Sequence, residues 1–469
     1  MTSKKSKRDF DVIVIGSGPG GEGAALQAAK EGLRVAVVER NTHIGGNCTH
    51  TSTIPSKALR QFANMVHSNS RSQESSGPLS YHQFDFAQHI AKTNEVIAKQ
   101  VTIRSGHYSR NNVEVLHGLA HFEDVHQLSI DEVSGLKTAI TADYFVVATG
   151  SRPYHPPKID FKHPGVFDSD TILQLRDNPR TITVLGAGVV GCEYTSIFKS
   201  LGRKVNLING HPRLLSFLDD EISDALSYHL RDQGVLIRNN EELDSIEEQG
   251  SDLIVNLQSG KKIRSDIVLF AIGRVGNTDK LALHNLKGIE TNSKGNFVVN
   301  SHYQTTIPHI YAVGDLSGFP NLASAAYDQG RFAIRHILDP NCDDSLVKDI
   351  PIGIYTSPEI SCIGRNEKEL TAAKTPYEIG HTVFRHLARA QIAGQDVGML
   401  KILFHSKTLE ILGIHCFGHN AAEIIHIGQA IMSRKEGNSL RYFIDTTFNY
   451  PTMAEAYRVA ALNGLNRLC

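Results

Sequence analysis

Two glycine clusters, and the polar residue that follows each, define the chemistry open to this chain. Gly16, Gly18 and Gly21 stand in the spacing G-x-G-x-x-G, and Glu39 follows 18 positions after the last of them. Gly186, Gly188 and Gly191 repeat that spacing, with Asn209 at the same offset. The first glycine permits a tight turn, the second lets a diphosphate approach the backbone, and the third lets helix and strand pack closely. Glu39 is placed to accept hydrogen bonds from an adenosine ribose. In the second copy a carboxylate would favour a free 2′-hydroxyl and repel a 2′-phosphate; the neutral Asn209 does neither strongly. His211 and Arg213 come next, either to approach a 2′-phosphate or as ordinary loop residues.

The elements that must position these residues are legible around both clusters. The apolar run 11–15 has strand length, residues 22–30 read as a helix ended by Gly32, and 34–38 read as the next strand. The second unit has an apolar run at 180–185, a helix ending near Gly202, and a strand at 204–208. In each unit the helix N-terminus presents unpaired N–H groups to a phosphate. Two such units, 170 positions apart from Gly16 to Gly186, predict an α/β chain with two nucleotides on two separate sheets.

Composition sets the outer bounds. A chain of 469 residues has room for two to four domains. Its hydrophobic content of 41% and formal net charge of −1 describe a soluble globular protein, with no field drawing it to nucleic acid or to an anionic membrane. Lys4, Lys5, Lys7 and Arg8 form a basic stretch read as a solvated terminus. The apolar run after this stretch is too short for a signal-peptide core, and no run approaches the roughly 18 apolar residues of a membrane span. The six cysteines are scattered without C-x-x-C or metal-ligand spacing, which fits reduced thiols in the cytoplasm. The 23 histidines form no H-E-x-x-H pattern, so no metal site is predicted.

The run Ile44-Gly45-Gly46-Asn47-Cys48-Thr49-His50-Thr51-Ser52-Thr53-Ile54-Pro55-Ser56-Lys57 resembles the active-site segment of the flavin disulfide reductases. These are the class I FAD-dependent pyridine nucleotide-disulfide oxidoreductases. Residues 145–153, with Thr149 and Gly150, resemble their strand leaving the flavin domain, and 266–274, with Gly273, the corresponding exit from the second domain. Residues 305–315 are similar to the second flavin fingerprint, in which Asp315 after Gly314 binds the ribityl chain. Residues 352–364 match the first strand of the interface domain, and 401–404 with 411–415 its central hairpin. In that family a second cysteine lies five positions after the first, and a histidine held by a glutamate serves the dithiol. Here Thr53 and Tyr450 stand at those two places, while Glu455 remains. Both partners of thiol chemistry are therefore missing. The branch that shares these features is the soluble pyridine nucleotide transhydrogenases, similar also in Leu387-Ala388-Arg389-Ala390-Gln391 and Asn449-Tyr450-Pro451-Thr452-Met453-Ala454-Glu455.

The resemblance implies two Rossmann-like domains of glutathione reductase and lipoamide dehydrogenase type, plus an α+β C-terminal interface domain. It divides the chain into a FAD domain at 1–156 and 280–345, an NAD(P) domain at 157–279, and a dimerisation domain at 346–469. It implies one non-covalent FAD per subunit, with Arg40, Gly46, Cys48, Thr53 and Ala323 joining the residues above as contacts. NAD(H) and NADP(H) would be substrates of a Si-specific NAD(P)+ transhydrogenase, hydride passing through flavin N5. Lys57, paired with Glu193, would supply positive charge near N5; otherwise it faces solvent. Cys48 is either a small residue beside the flavin or a peroxide-reactive thiol, and Tyr450 a packing residue near a partner's flavin. The competing functions are an NAD(P)H oxidase or diaphorase and a non-catalytic flavoprotein subunit. Expected partners are further copies of the chain, a dimer at least, with no nucleic acid and no membrane.

Overall fold

The computed structural model describes residues 8–72 and 86–468; Lys4, Lys5, Lys7 and Cys469 lie outside them. The strand Phe10–Ile15 pairs in parallel with Val35–Glu39 on one side and Lys137–Val147 on the other. Glu114–Phe122 and Ile310–Ala312 extend the parallel layer at its edges. Strands covered on both faces must be apolar throughout, and Val12 to Ile15 and Val35 to Val38 are indeed continuous and buried. The helix Pro19–Lys30 lays Ala24, Ala25 and Ala28 on Val12, Val14, Val35 and Val37. Connections leave the first strand's two neighbours in opposite directions, so a crevice opens at its carboxyl end, where Gly16 begins the turn.

The second sheet repeats the plan. Its order is Leu236–Asn239, Lys204–Asn209, Thr181–Leu185, Ile267–Phe270 and Val166–Asp168, parallel throughout. The helix Val189–Ser200 follows its glycine turn. A short antiparallel ribbon, Ser151–Pro153 against Arg274–Gly276, carries the chain between the two sheets.

The C-terminal part is a five-stranded antiparallel sheet flanked by the helices Ala421–Met432 and Glu455–Leu465. The expected hairpin is Gly398–His405 with Ile411–Gly418. The segment read as one strand at 352–364 is instead two, Ile352–Ile354 and Glu359–Gly364, paired with each other. Pro358 has no N–H for a ladder, so the chain turns there. The basic terminus also differs from expectation where it is described. Arg8 is half-buried and its Nη1 pairs with Asp143 at 2.9 Å, tying the entry of the first strand to the sheet. Among the described residues no helix is long and apolar enough to cross a membrane.

Candidate functional site

Both glycine turns require backbone that side chains resist. Gly16 has φ +104° and Gly186 φ +98°, and a Cβ on either would stand 2.4 Å from a carbonyl oxygen, of Ala148 and Ala271 respectively. The third glycines are packing positions, since a Cβ on Gly21 would lie 1.9 Å from the Gly16 oxygen and one on Gly191 1.8 Å from that of Gly186. Gly18 and Gly188 cap the two helices with extended backbone and no side-chain hydrogen bond. The N–H groups of each first turn are thereby left to a ligand.

A cavity of about 1330 Å³ runs from the first of these turns to one face of the helix that follows the second. Gly16, Gly18, Glu39 and Arg40 line its dinucleotide end; Thr149, Gly150 and Gly273 come from the residues that lead into the interdomain strands. Gly46, Cys48, Thr53 and Lys57 line it beyond, with Gly314, Asp315 and Ala323 opposite. Glu193 enters from the second helix with Val189 and Val190. Gly186, Gly188, Gly191 and Asn209 are not brought to this cavity.

Glu39 is buried, and its Oε2 accepts from Ser17 N at 3.1 Å and Ser17 Oγ at 2.5 Å, while Oε1 accepts from Asn41 N at 2.9 Å. Asp315 is held by the Ser151 hydroxyl. Ser17 and Ser151 carry no signal of this in the sequence; Ser17 occupies a free position of the fingerprint, where only the fold gives it a partner.

Lys57 Nζ lies 2.7 Å from Glu193 Oε2, joining residues 136 apart in the chain. Glu193 Oε1 accepts the Tyr355 N–H at 2.9 Å, and Lys57 Nζ sits 5.0 Å from the centre of the Tyr355 ring. Tyr355 lies in the turn that interrupts 352–364. Nothing in its residue type foretells a backbone donor. Lys57 is thus a partly shielded charge at the cavity wall rather than a solvent-facing lysine.

Cys48 and Thr53 line the same cavity, and the Thr53 side chain is near enough to favour the thiolate, so the two positions do face each other. Burial pushes the Cys48 thiol up, against the opposing pull of Thr53, Arg104 and Lys57. A protonated thiol beside a hydroxyl can neither close a disulfide nor hold two electrons. Tyr450 is 66% exposed in the single chain. Glu455 Oε2 is buried without a hydrogen-bond partner among the described residues.

The expectation for Asn209 at the second turn needs correction. Asn209 is buried, and its amide serves its own loop: Nδ2 donates to the oxygens of His211, Arg213 and Asn239, and Oδ1 accepts from His211 N. It staples the strand end instead of facing a ribose. Arg213 is paired with Asp220 and, at 3.4 Å, with Asp224, so its guanidinium is already engaged; the His211 side chain is exposed. One carboxylate trio, Asp219, Glu221 and Glu367, has metal-binding geometry. The buried Lys401 ammonium sits among these groups, 2.8 Å from Asp219 and 3.0 Å from Glu221, and takes the place of a cation.

The chain matches the family model described as pyridine nucleotide-disulphide oxidoreductase over residues 10–330, and that family's dimerisation domain over 350–461. It is 57% identical to a soluble pyridine nucleotide transhydrogenase of Vibrio cholerae over 464 residues, covering 98% of this chain and 99% of the relative. It is 56% identical to that of Salmonella paratyphi C over 461 residues, with the same coverage of 98% and 99%. Among solved structures it is similar to the HOCl-induced flavoprotein disulfide reductase of Escherichia coli. The TM-score is 0.87 at 26% identity, over 97% of this chain and 99% of that one. LpdA of Mycobacterium tuberculosis shares the fold at TM-score 0.88 and 24% identity, over 98% and 100% of the two chains.

Proposed function

The chain belongs to the pyridine nucleotide-disulphide oxidoreductase family, and from that premise we propose that it moves hydride reversibly between NADPH and NAD+. FAD, as in the family, supplies the two-electron carrier between the two nicotinamides when bound. The cavity fits it: an uncapped helix N-terminus for the diphosphate, Glu39 at the ribose end, and Asp315 farther along. The observation that carries the reading is that Lys57 and Glu193 close one cavity shared by both nucleotide units, while Cys48 faces Thr53. Such a site has no dithiol to receive electrons, which leaves nicotinamide as donor and acceptor on the two sides of the transfer.

Within it each residue has a physical task. Lys57 holds a fixed positive charge where negative charge would accumulate, and shielding from water strengthens its effect. Glu193 fixes that ammonium from one oxygen and the Tyr355 backbone from the other. Cys48 and Thr53 fill space beside the ring system and store nothing. One nicotinamide pocket serves both nucleotides in turn, so turnover is ping-pong. We assign the FAD part to 1–156 and 280–345, the NAD(P) part to 157–279 and the interface to 346–469. The dimerisation domain makes the protein a homo-oligomer; we take a dimer as its smallest form, in the cytoplasm, without nucleic-acid or membrane partners.

The test is purified protein with NADPH and a thio-analogue of NAD+, with and without oxygen. Analogue reduction independent of oxygen is expected. Turnover that requires oxygen would make the protein an oxidase, and failure of NADPH to bleach its flavin would remove catalysis altogether.

A further inference from the structure

The loop after the second sheet's strand Lys204–Asn209 carries a charge arrangement that the site above does not use. Asn209 Nδ2 holds the Arg213 carbonyl at 3.1 Å, and Leu215 N donates to the Ala187 oxygen, inside the glycine turn, at 3.1 Å. The loop therefore folds back over the place where a dinucleotide's adenosine end must lie, with Arg213 on it. Arg213 Nη1 pairs with one oxygen of Asp220, and its Nε lies 3.4 Å from Asp224. The other Asp220 oxygen is held by Lys368 Nζ. Lys368 belongs to the helix Glu367–Ala372, far along the chain. That helix is docked on the loop through its first residue, whose N–H donates to Asp219 Oδ2 at 3.4 Å and whose carboxylate shares the buried Lys401 ammonium with Asp219, and by Asn366 Nδ2 on the Phe217 oxygen at 3.5 Å.

We propose that Asp220, Asp224 and Lys368 form an ion-pair exchange around Arg213 that lets one loop accept nucleotides with and without a 2′-phosphate. This rests on the reading that the second glycine turn takes the nicotinamide nucleotides. Two cations and two carboxylates leave the cluster neutral, so a nucleotide with a free 2′-hydroxyl meets neither attraction nor repulsion. A 2′-phosphate offers Arg213 a bidentate partner of higher charge. When it takes the guanidinium, Asp220 keeps Lys368 and also the positive end of its own helix, Asp220–Asp232, where it is the first residue. Asp224, 58% exposed, returns to water. No carboxylate is left facing the phosphate unpaired. The exchange is easy because all four side chains are well exposed, and such pairs are weak. Without Lys368, freeing Arg213 would leave Asp220 with its full charge beside the incoming phosphate. The interface part of the chain thereby tunes a choice made in the nucleotide part.

The experiment measures competitive inhibition by adenosine 2′,5′-bisphosphate and by 5′-AMP, in FAD-loaded protein checked by flavin spectrum and melting. Asp220→Asn releases Arg213 and strengthens inhibition by the bisphosphate about two- to fivefold, with 5′-AMP unmoved. Lys368→Ala leaves Asp220 entirely to Arg213 and weakens it by a similar factor of about two to five. In an Arg213→Ala background neither change has any further effect. If Arg213→Ala itself leaves the ratio of the two inhibitors unchanged, the loop does not read the 2′-phosphate, and the placement beneath the proposal fails. If Arg213→Ala lowers the ratio but Asp220→Asn and Lys368→Ala do not move it in opposite directions, the placement stands and the exchange is overturned.

Discussion

Glu39 and Asn209 end equivalent strands, and each accepts the N–H two residues on, from Asn41 and His211 respectively. There the likeness stops. The second Glu39 oxygen reaches back into its glycine turn, to the Ser17 amide and hydroxyl. At the matching place the second turn has Ala187, which offers no hydroxyl, and Asn209 turns to its own loop. In the first unit a buried carboxylate thus ties strand end and diphosphate turn into one cradle; in the second no side chain of the strand end reaches the turn, and the loop beyond it touches the turn through one backbone bond, Leu215 N on the Ala187 oxygen. A cradle tied by a buried carboxylate loses little entropy on binding and suits a resident cofactor, whereas the more lightly held loop suits a nucleotide that must come and go. Similar glycine geometry therefore does not imply similar residence of the ligand.

The sharpest way to break this comparison is to damage both turns equally. Gly21→Ala and Gly191→Ala each drive a Cβ to under 2 Å from a carbonyl, 1.9 and 1.8 Å respectively. Each is expected to cost roughly 3 kcal/mol or more in its own unit. Gly21→Ala should yield protein without flavin. Gly191→Ala should keep the flavin spectrum but lose its bleaching by NADPH. If both variants lose flavin alike, the two units do not divide the labour as described.

Changing the strand ends should do less. Glu39→Ala takes the acceptor from the buried Ser17 N–H and from the Asn41 N–H and weakens FAD retention by about 1–3 kcal/mol, read from flavin release on dilution. Asn209→Asp replaces a donor by an oxygen facing the carbonyls of His211 and Arg213. Binding of NADH and NADPH should both weaken, by about 1–3 kcal/mol, because the loop itself loosens. A selective loss of NADPH, with NADH intact, would instead mean that residue 209 meets the ribose directly.

These differences also show what can be read in advance. The glycine turns are legible because their constraint is local: a tight bend and a close helix are set within six residues. The Lys57–Glu193 pair spans the two units and comes only from family resemblance. Residue type and spacing put Asn209 correctly on its strand but not in its role, since two of its partners are backbone carbonyls and the third, Asn239, lies on a neighbouring strand. Arg213 reads as a free cation because nothing in its own neighbourhood reveals that Lys368 shares Asp220. Backbone donors such as the Tyr355 N–H leave no trace in residue type at all.

The smallest effect is expected at the thiols, where the two units differ in exposure more than in chemistry. Cys192 follows the second glycine turn, is fully buried, and points its Sγ at the Ala187 oxygen at 3.4 Å. Cys48 lines the cavity beside Thr53. Burial raises both thiols above their ordinary range, so each stays protonated at neutral pH. The unfolded thiol ionises first as pH rises, so this burial subtracts stability only above the ordinary thiol range and nothing below it. Of these two thiols in native protein, Cys48 should accordingly be alkylated slowly near pH 7 and faster as pH climbs, and Cys192 only on unfolding. Cys48→Ser should leave NADPH-to-NAD+ transfer within about tenfold, or roughly 1.4 kcal/mol of barrier, as repacking beside the flavin allows. If that variant keeps FAD yet abolishes transfer, Cys48 forms or breaks a bond during turnover, and the cavity has a covalent step that needs no second thiol at Thr53.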